Sequence, residues 1–200
     1  MPIADEFQLV TPRVAFWQTY EPAVKCDLSC CAVVTPCGLV FIDPIPLAKD
    51  ALAELLALAP PTAIVCTNGN HARAAADFRA LFSIPIHAHP DAAAELGFSV
   101  DHQLREGGTV CESLAVIELP GGGAGEIALR SEAGSLHLGD ALIHLEPLGF
   151  ALLPDKYCTD ARELRRSLGK LLRFDFELLT FAHGLPLTVK ARHRLKTLLA

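Results

Sequence analysis

Short apolar runs alternate with segments of helical period over the first half of the chain. Val14–Trp17 and Cys31–Thr35 are apolar and β-branched, so they read as strands, and Pro36-Cys37-Gly38 reads as the hairpin turn into Leu39–Ile42. Asp43-Pro44 leads out of that strand toward Leu47–Leu58, where Leu52, Leu55 and Leu56 fall at helical spacing until Pro60-Pro61 stops the helix. Ala63–Cys66 predicts a short buried strand, Thr67–Asn70 a polar turn and His71–Phe82 a second helix rich in alanine. Pro85–Ala88 is a further strand, and Pro90–Leu96 a third helix with proline at its start.

After Gly97 the pattern changes to strands broken by glycine. Leu114–Leu119, Ile127–Arg130 and Ser135–Leu138 read as strands, set apart by turns such as Gly107-Gly108 and Gly121–Gly125. The chain ends on an amphipathic segment Asp160–Leu172, a strand Leu178–Phe181 and a basic closing helix Leu187–Leu199. No linker, low-complexity tract or charge block divides it, so one domain spanning residues 1–200 is expected.

Composition narrows the classes. With 200 residues, 51% of them hydrophobic and 20% charged, the chain can bury a real core. The 17 basic and 23 acidic residues give a net charge of −6, which offers no support for nucleic-acid binding. The longest apolar runs, such as Cys31–Thr35 and Leu39–Ile42, fall far short of the roughly 20 residues a membrane-spanning helix needs, so no membrane association is expected. Met1–Val10 carries Asp5 and Glu6 and no basic run, which leaves a soluble cytoplasmic protein as the expectation. Seven cysteines, an odd number, argue against a disulfide framework. Cys26, Cys30, Cys31 and Cys37 lack the paired spacing of structural zinc sites and read as buried reduced thiols.

Candidate chemistry lies where polar residues follow strands, because in layered α/β proteins such positions converge on one edge. Asp43 follows Val40-Phe41-Ile42, Thr67–His71 follows Ala63–Cys66, and Gly121–Gly125 follows Leu114–Leu119. Gly139-Asp140 follows Ser135–Leu138, and His183-Gly184 follows Leu178–Phe181. Two carboxylates and an imidazole at three strand ends suit a metal or acid–base group. The glycine run has no following lysine and leads into a strand, so it is neither a P-loop nor a dinucleotide turn. There is no G-x-S-x-G elbow for a serine hydrolase.

The order of these elements resembles the metallo-β-lactamase superfamily. Phe41-Ile42-Asp43 stands for that family's aspartate-ended strand. Thr67-Asn68-Gly69-Asn70-His71-Ala72-Arg73 stands for its H-x-H-x-D-H loop, Pro120–Gly125 for its histidine-bearing turn, and Gly139-Asp140 and His183-Gly184 for its last two motifs. The resemblance implies a four-layer αββα sandwich, with two mixed sheets face to face and helices outside. It makes Asp140 the match of the metal-bridging aspartate, His183 of the late histidine ligand and Asp43 of the supporting early aspartate. It also sets Asn68 and Asn70 in the places of two histidines, Ala72 in that of the aspartate, Arg73 in that of the third histidine and Gly122 in that of the turn histidine. Asparagine is a poor ligand for such a metal, alanine and glycine supply none, and arginine brings a fixed positive charge placed to pair with Asp140. A dinuclear centre is therefore not expected.

His71 falls one position off the ligand pattern, at the start of the predicted helix. Either it bonds the surrounding loop, or its ring reaches back to Asp140 and His183 as a three-ligand set. Three functions follow from these residues. The first is a small-molecule binder or inactive hydrolase homologue without cofactor, its cleft lined by Asp43, Asn68, Asn70, His71, Arg73, Asp140 and His183. The second is a hydrolase of an ester, thioester or amide with one zinc or iron ion on His71, Asp140 and His183. The third is an interaction or homo-oligomerisation module. The expected partner is an unidentified small molecule.

Overall fold

The sandwich follows from which way alternate residues of the buried strands point. The computed structural model describes all 200 residues. In it, seven strands pair in sequence order: β1 (Gln8–Thr11), β2 (Val14–Glu21), β3 (Cys26–Thr35), β4 (Gly38–Ile42), β5 (Pro61–Cys66), β6 (Ile86–Ala88) and β7 (His102–Gln103). Helices α1 (Lys49–Leu56), α2 (Ala75–Phe82) and α3 (Pro90–Ala93) are the connections. The second sheet is built from β8 (Thr109–Val110), β9 (Leu114–Glu118), β10 (Ile127–Ser131) and β11 (Ser135–Leu138). A separate hairpin, β12 (Leu142–Leu145) and β13 (Gly149–Leu152), precedes α4 (Ala161–Gly169), β14 (Leu178–Thr180) and α5 (Ala191–Leu199). The spatial order of the second sheet is β14-β11-β10-β9-β8.

Successive side chains of a strand face opposite sides. Leu39, Phe41, Ile64 and Cys66 join Trp17, Leu55 and Phe78 in a core against the first three helices. Val40, Ile42, Val65 and Val33 instead meet Leu114, Val116, Ile127 and Leu129 from the other sheet. Leu136, Leu138 and Leu179 complete the set by packing on Leu164, Leu168 and Leu195 of the last two helices. Three apolar layers between four layers of structure are the αββα sandwich. Central strands covered on both faces read as unbroken apolar runs, which is why they were legible without alternation.

Parallel pairing then positions the polar residues. β4 runs parallel to β5, and β11 runs parallel to β14. Parallel neighbours end at the same side, so Asp43 and Thr67 emerge together, as do Asp140 and His183.

The second helix begins at Ala75, four residues later than the periodicity suggests. The intervening chain makes other bonds: the Asn70 N–H donates to Asn68 Oδ1 at 2.9 Å, and the Ala74 N–H to the Pro44 carbonyl at 3.0 Å. An asparagine that caps its own turn competes with the helix in this way. β1, β7, β8, β12 and β13 were not predicted; they are short and at most partly buried, which leaves little pattern to read. No helix is long and apolar enough to cross a membrane.

Candidate functional site

Asp43 turns out of β4 with φ of 51° and is buried. One of its oxygens accepts the Thr67 N–H at 2.8 Å; the other accepts the Thr67 hydroxyl at 2.6 Å and meets His71 Nδ1 at 2.9 Å. His71 therefore lies in the loop before α2 rather than on the helix, and its ring points inward. Its Nε2 reaches Asp140 Oδ1 at 3.1 Å. The same Asp140 oxygen lies 3.2 Å from His183 Nε2. His183 Nδ1 is held by the Asp27 carbonyl at 2.9 Å, with the Cys26 thiol 3.5 Å away.

Glycines allow this convergence. A Cβ on Gly139 would press into the Thr67 hydroxyl and the Glu126 carboxylate, so Asp140 needs glycine before it to come so close. Gly184 has φ of 92°, and any side chain there would collide with the His144 carbonyl. That contact fixes the turn that presents His183.

The charges are strongly coupled. Burial alone would lower the His71 ring, but the Asp43 and Asp140 carboxylates raise it to about 9. Burial likewise opposes the charge on His183, and Asp140 overrides it, again to about 9. Burial works to raise both aspartates; the His71 charge outweighs it and holds Asp43 below, and Asp140 well below, the ordinary carboxylate value. Each histidine thus has an acceptor on both nitrogens, which suits the imidazolium.

Arg73 departs from expectation. Its guanidinium makes no pair with Asp140; it donates to the Ser29 carbonyl at 2.6 Å, the Asp43 carbonyl at 3.2 Å and the Ala182 carbonyl at 3.0 Å. Those carbonyls belong to both sheets, and a planar fork is suited to collecting them. Asn70 is exposed and gives the site only its backbone N–H, so it does not line a cleft. Asn68 is buried and donates its amide to Glu126 Oε2 at 2.7 Å and Asp140 Oδ2 at 3.1 Å.

Glu126 is the residue that the sequence reading passed over. It is buried at the start of β10, accepts the Ala141 N–H at 3.1 Å, and is pushed up to about 8 by burial and the nearby Asp140 charge. Its signal was available: a lone carboxylate between a glycine turn and an apolar strand is another strand-end polar residue. A Cβ on Gly122 would lie 3.0 Å from Glu126 Cγ, so the small residue in the turn leaves room for the Glu126–Asn68 pair.

His71, Asp140 and His183 can each offer one ligand atom, all within 4.8 Å of one another. The group reaches solvent on one side, where the Asp140 and His183 side chains are 14% and 19% exposed. The donor set and its Nδ1 anchors fit one metal ion, because ligating histidines characteristically give their other N–H to a carboxylate or carbonyl. Beside this set, the Asn68 amide donates to both Glu126 and Asp140. A cavity of about 380 Å³ is lined by His89, Glu118, Glu126 and, from the glycine turn, Gly121, Gly123 and Gly125.

A four-layer αββα sandwich with histidines and an aspartate gathered at its strand ends has the layout of the metallo-β-lactamase fold. The sequence model of the metallo-β-lactamase superfamily matches residues 7–200, and the chain belongs to that superfamily. Solved structures agree on the fold. DIM-1 metallo-β-lactamase superposes with a TM-score of 0.78 at 14% identity, over 99% of this chain and 97% of that one. A metallo-β-lactamase from Pontibacter korlensis gives 0.74 at 16% identity, over 97% and 98%. TTHA1623, solved in a di-iron-bound form, gives 0.64 at 26% identity, over 88% and 96%. No curated protein matches the sequence.

Proposed function

We propose that this chain is a hydrolase of an ester, thioester or amide that uses one zinc or iron ion, and that the place of a second ion has passed to the Asn68–Glu126 pair. The observation that carries the reading is the pose of the two histidines. Each is anchored through Nδ1, His71 on Asp43 and His183 on Asp27, so both Nε2 atoms face one Asp140 oxygen. A divalent ion replacing the two Nε2 protons leaves the charge of the cluster unchanged, which removes the main electrostatic objection to binding it. When bound, such an ion supplies the Lewis acidity that ionises water near neutral pH and polarises a carbonyl. Asp43 fixes the tautomer and orientation of His71, and Thr67 fixes Asp43. Asn68 holds Asp140 by its second oxygen and leaves the first for the histidines. That TTHA1623 holds two irons on the same fold supports iron as well as zinc as a candidate.

Elemental analysis of the purified protein tests this directly. About one equivalent of zinc or iron is expected, falling to less than about a tenth in Asp140→Asn, with hydrolysis of activated esters or thioesters falling in parallel. Two equivalents would restore the dinuclear centre. None, even after incubation with either metal, would favour a second reading: a small-molecule binder or inactive homologue without metal. That reading is supported by the same bonds, since Asp43, His71, Asp140, His183 and the Asp27 carbonyl satisfy one another when both rings carry two protons.

A further inference from the structure

His137 is a fully buried histidine on β11, three residues before Asp140, and it faces Cys31 of the first sheet. The layer between the sheets is otherwise mostly valine, isoleucine and leucine, yet a chain of polar groups runs through it. Ser131 Oγ lies 2.7 Å from Ser135 Oγ, Ser135 Oγ 2.9 Å from His137 Nε2, and His137 Nδ1 2.9 Å from Thr180 Oγ1. Cys31 Sγ is 3.4 Å from both His137 Nδ1 and Thr180 Oγ1. Burial holds the His137 ring down to about 3, so it is neutral, with one nitrogen donating and the other accepting. Hydroxyls stand on both sides of the ring and can play either part, so the chain is satisfied in either tautomer. A buried polar chain with every member paired rigidifies the elements that it joins.

The register of the strands shows which elements those are. His137 stands opposite Thr180 in the parallel β11–β14 ladder, and theirs is the last residue pair in it. Asp140 follows His137 by three residues, and His183 follows Thr180 by three. Past the last pair the backbone supplies a long bond, from the Ala182 N–H to the Gly139 carbonyl at 3.3 Å. We propose that the His137–Thr180 bond is a clamp that positions Asp140 against His183, by fixing β11 to β14 just before both side chains leave their strands. This assignment deepens the one-ion reading and rests on it, since the same spacing sets where two of the three ligand atoms stand. Each member of the clamp acts through the ligand beyond the end of its strand, as partners outside a metal's own ligands characteristically do.

Three variants of the full chain separate positioning from stability. Thr180→Val keeps the shape of the side chain and removes its hydroxyl, which leaves His137 Nδ1 short of a partner and lowers the melting temperature. The double variant His137→Leu, Thr180→Val removes both partners, so it should melt close to the native protein. Thr180→Ser keeps the hydroxyl. Zinc affinity, measured by competition with a chromophoric chelator well below melting, should fall about tenfold or more in both valine variants and recover in Thr180→Ser. In the metal-free protein, nitrogen-15 NMR of His183 Nε2 reports its contact with Asp140. That resonance should move in both valine variants and keep its native place in Thr180→Ser. An unmoved resonance in the double variant would overturn the clamp. Zinc affinity that follows melting, returning to the native value in the double variant, would overturn it too and leave the pair a stabilising contact only. A native protein that takes up no zinc would remove the one-ion reading, and the metal-free spectra would still decide the clamp.

Discussion

His71 shows how one side chain can evade a motif and still occupy a site. Its position is wrong for the family's ligand spacing, yet the turn capped by Asn68 swings its ring onto Asp43 and Asp140. The charge of this group gives a pH prediction. His71 and His183 rise from 6.5 to about 9 in the folded protein. A raised value stabilises fully below the unfolded pKa and is lost as pH climbs through the folded one, so the metal-free protein should lose stability between pH 6.5 and about 9. Glu126, raised from 4.5 to about 8, has the same sign over a lower window. Zinc must displace the Nε2 protons, so the stabilisation it confers should grow as pH rises. Melting with chelator and with excess zinc, from about pH 6 to 10, should show the two curves diverging. A constant gap would mean that the histidines are not the groups that zinc displaces.

At the level of elements, Arg73 acts as a clasp between strands. It gathers carbonyls from β3, the end of β4 and the segment after β14, while the Ser29 N–H also donates to the Ala182 carbonyl at 2.8 Å. Arg73→Ala should cost about 3 kcal/mol in urea denaturation, because it strips a charged donor from the carbonyls of the buried residues Ser29, Asp43 and Ala182. Arg73→Lys should recover only part, since an ammonium lacks the fork. A loss below about 1 kcal/mol for the alanine variant would show that water replaces the guanidinium. The sequence shows an arginine at this position, but it could not reveal that its charge would face backbone carbonyls rather than Asp140.

Across the whole molecule, the inter-sheet layer joins the halves. Val33, Val40, Ile42 and Val65 of the first sheet and Leu114, Val116, Ile127 and Leu129 of the second form one apolar cluster. We propose that the halves unfold as one domain. Trp17, the single tryptophan, is buried in the helix-side core of the first half, with its Nε1–H donating to the Ile45 carbonyl at 3.0 Å. Its fluorescence reports that half, whereas far-ultraviolet circular dichroism reports both. The two urea transitions should coincide. A tryptophan transition that precedes or follows the dichroism would divide the chain in two.

The sequence by itself determined the central strands, most of the helices and the strand ends where Asp43, Asp140 and His183 stand. Burial on both faces writes itself into a strand as a continuous apolar run, and the polar residue that ends the run is conspicuous. Only the tertiary structure decided what those residues touch. The inward turn of His71, the clasp made by Arg73, the solvent-facing side chain of Asn70 and the Asn68–Glu126 pair all depend on contacts between residues far apart in the chain. Local periodicity carries no record of such contacts, because a side chain's partner is set by which strand ends meet and by the space that Gly122 and Gly139 leave between them.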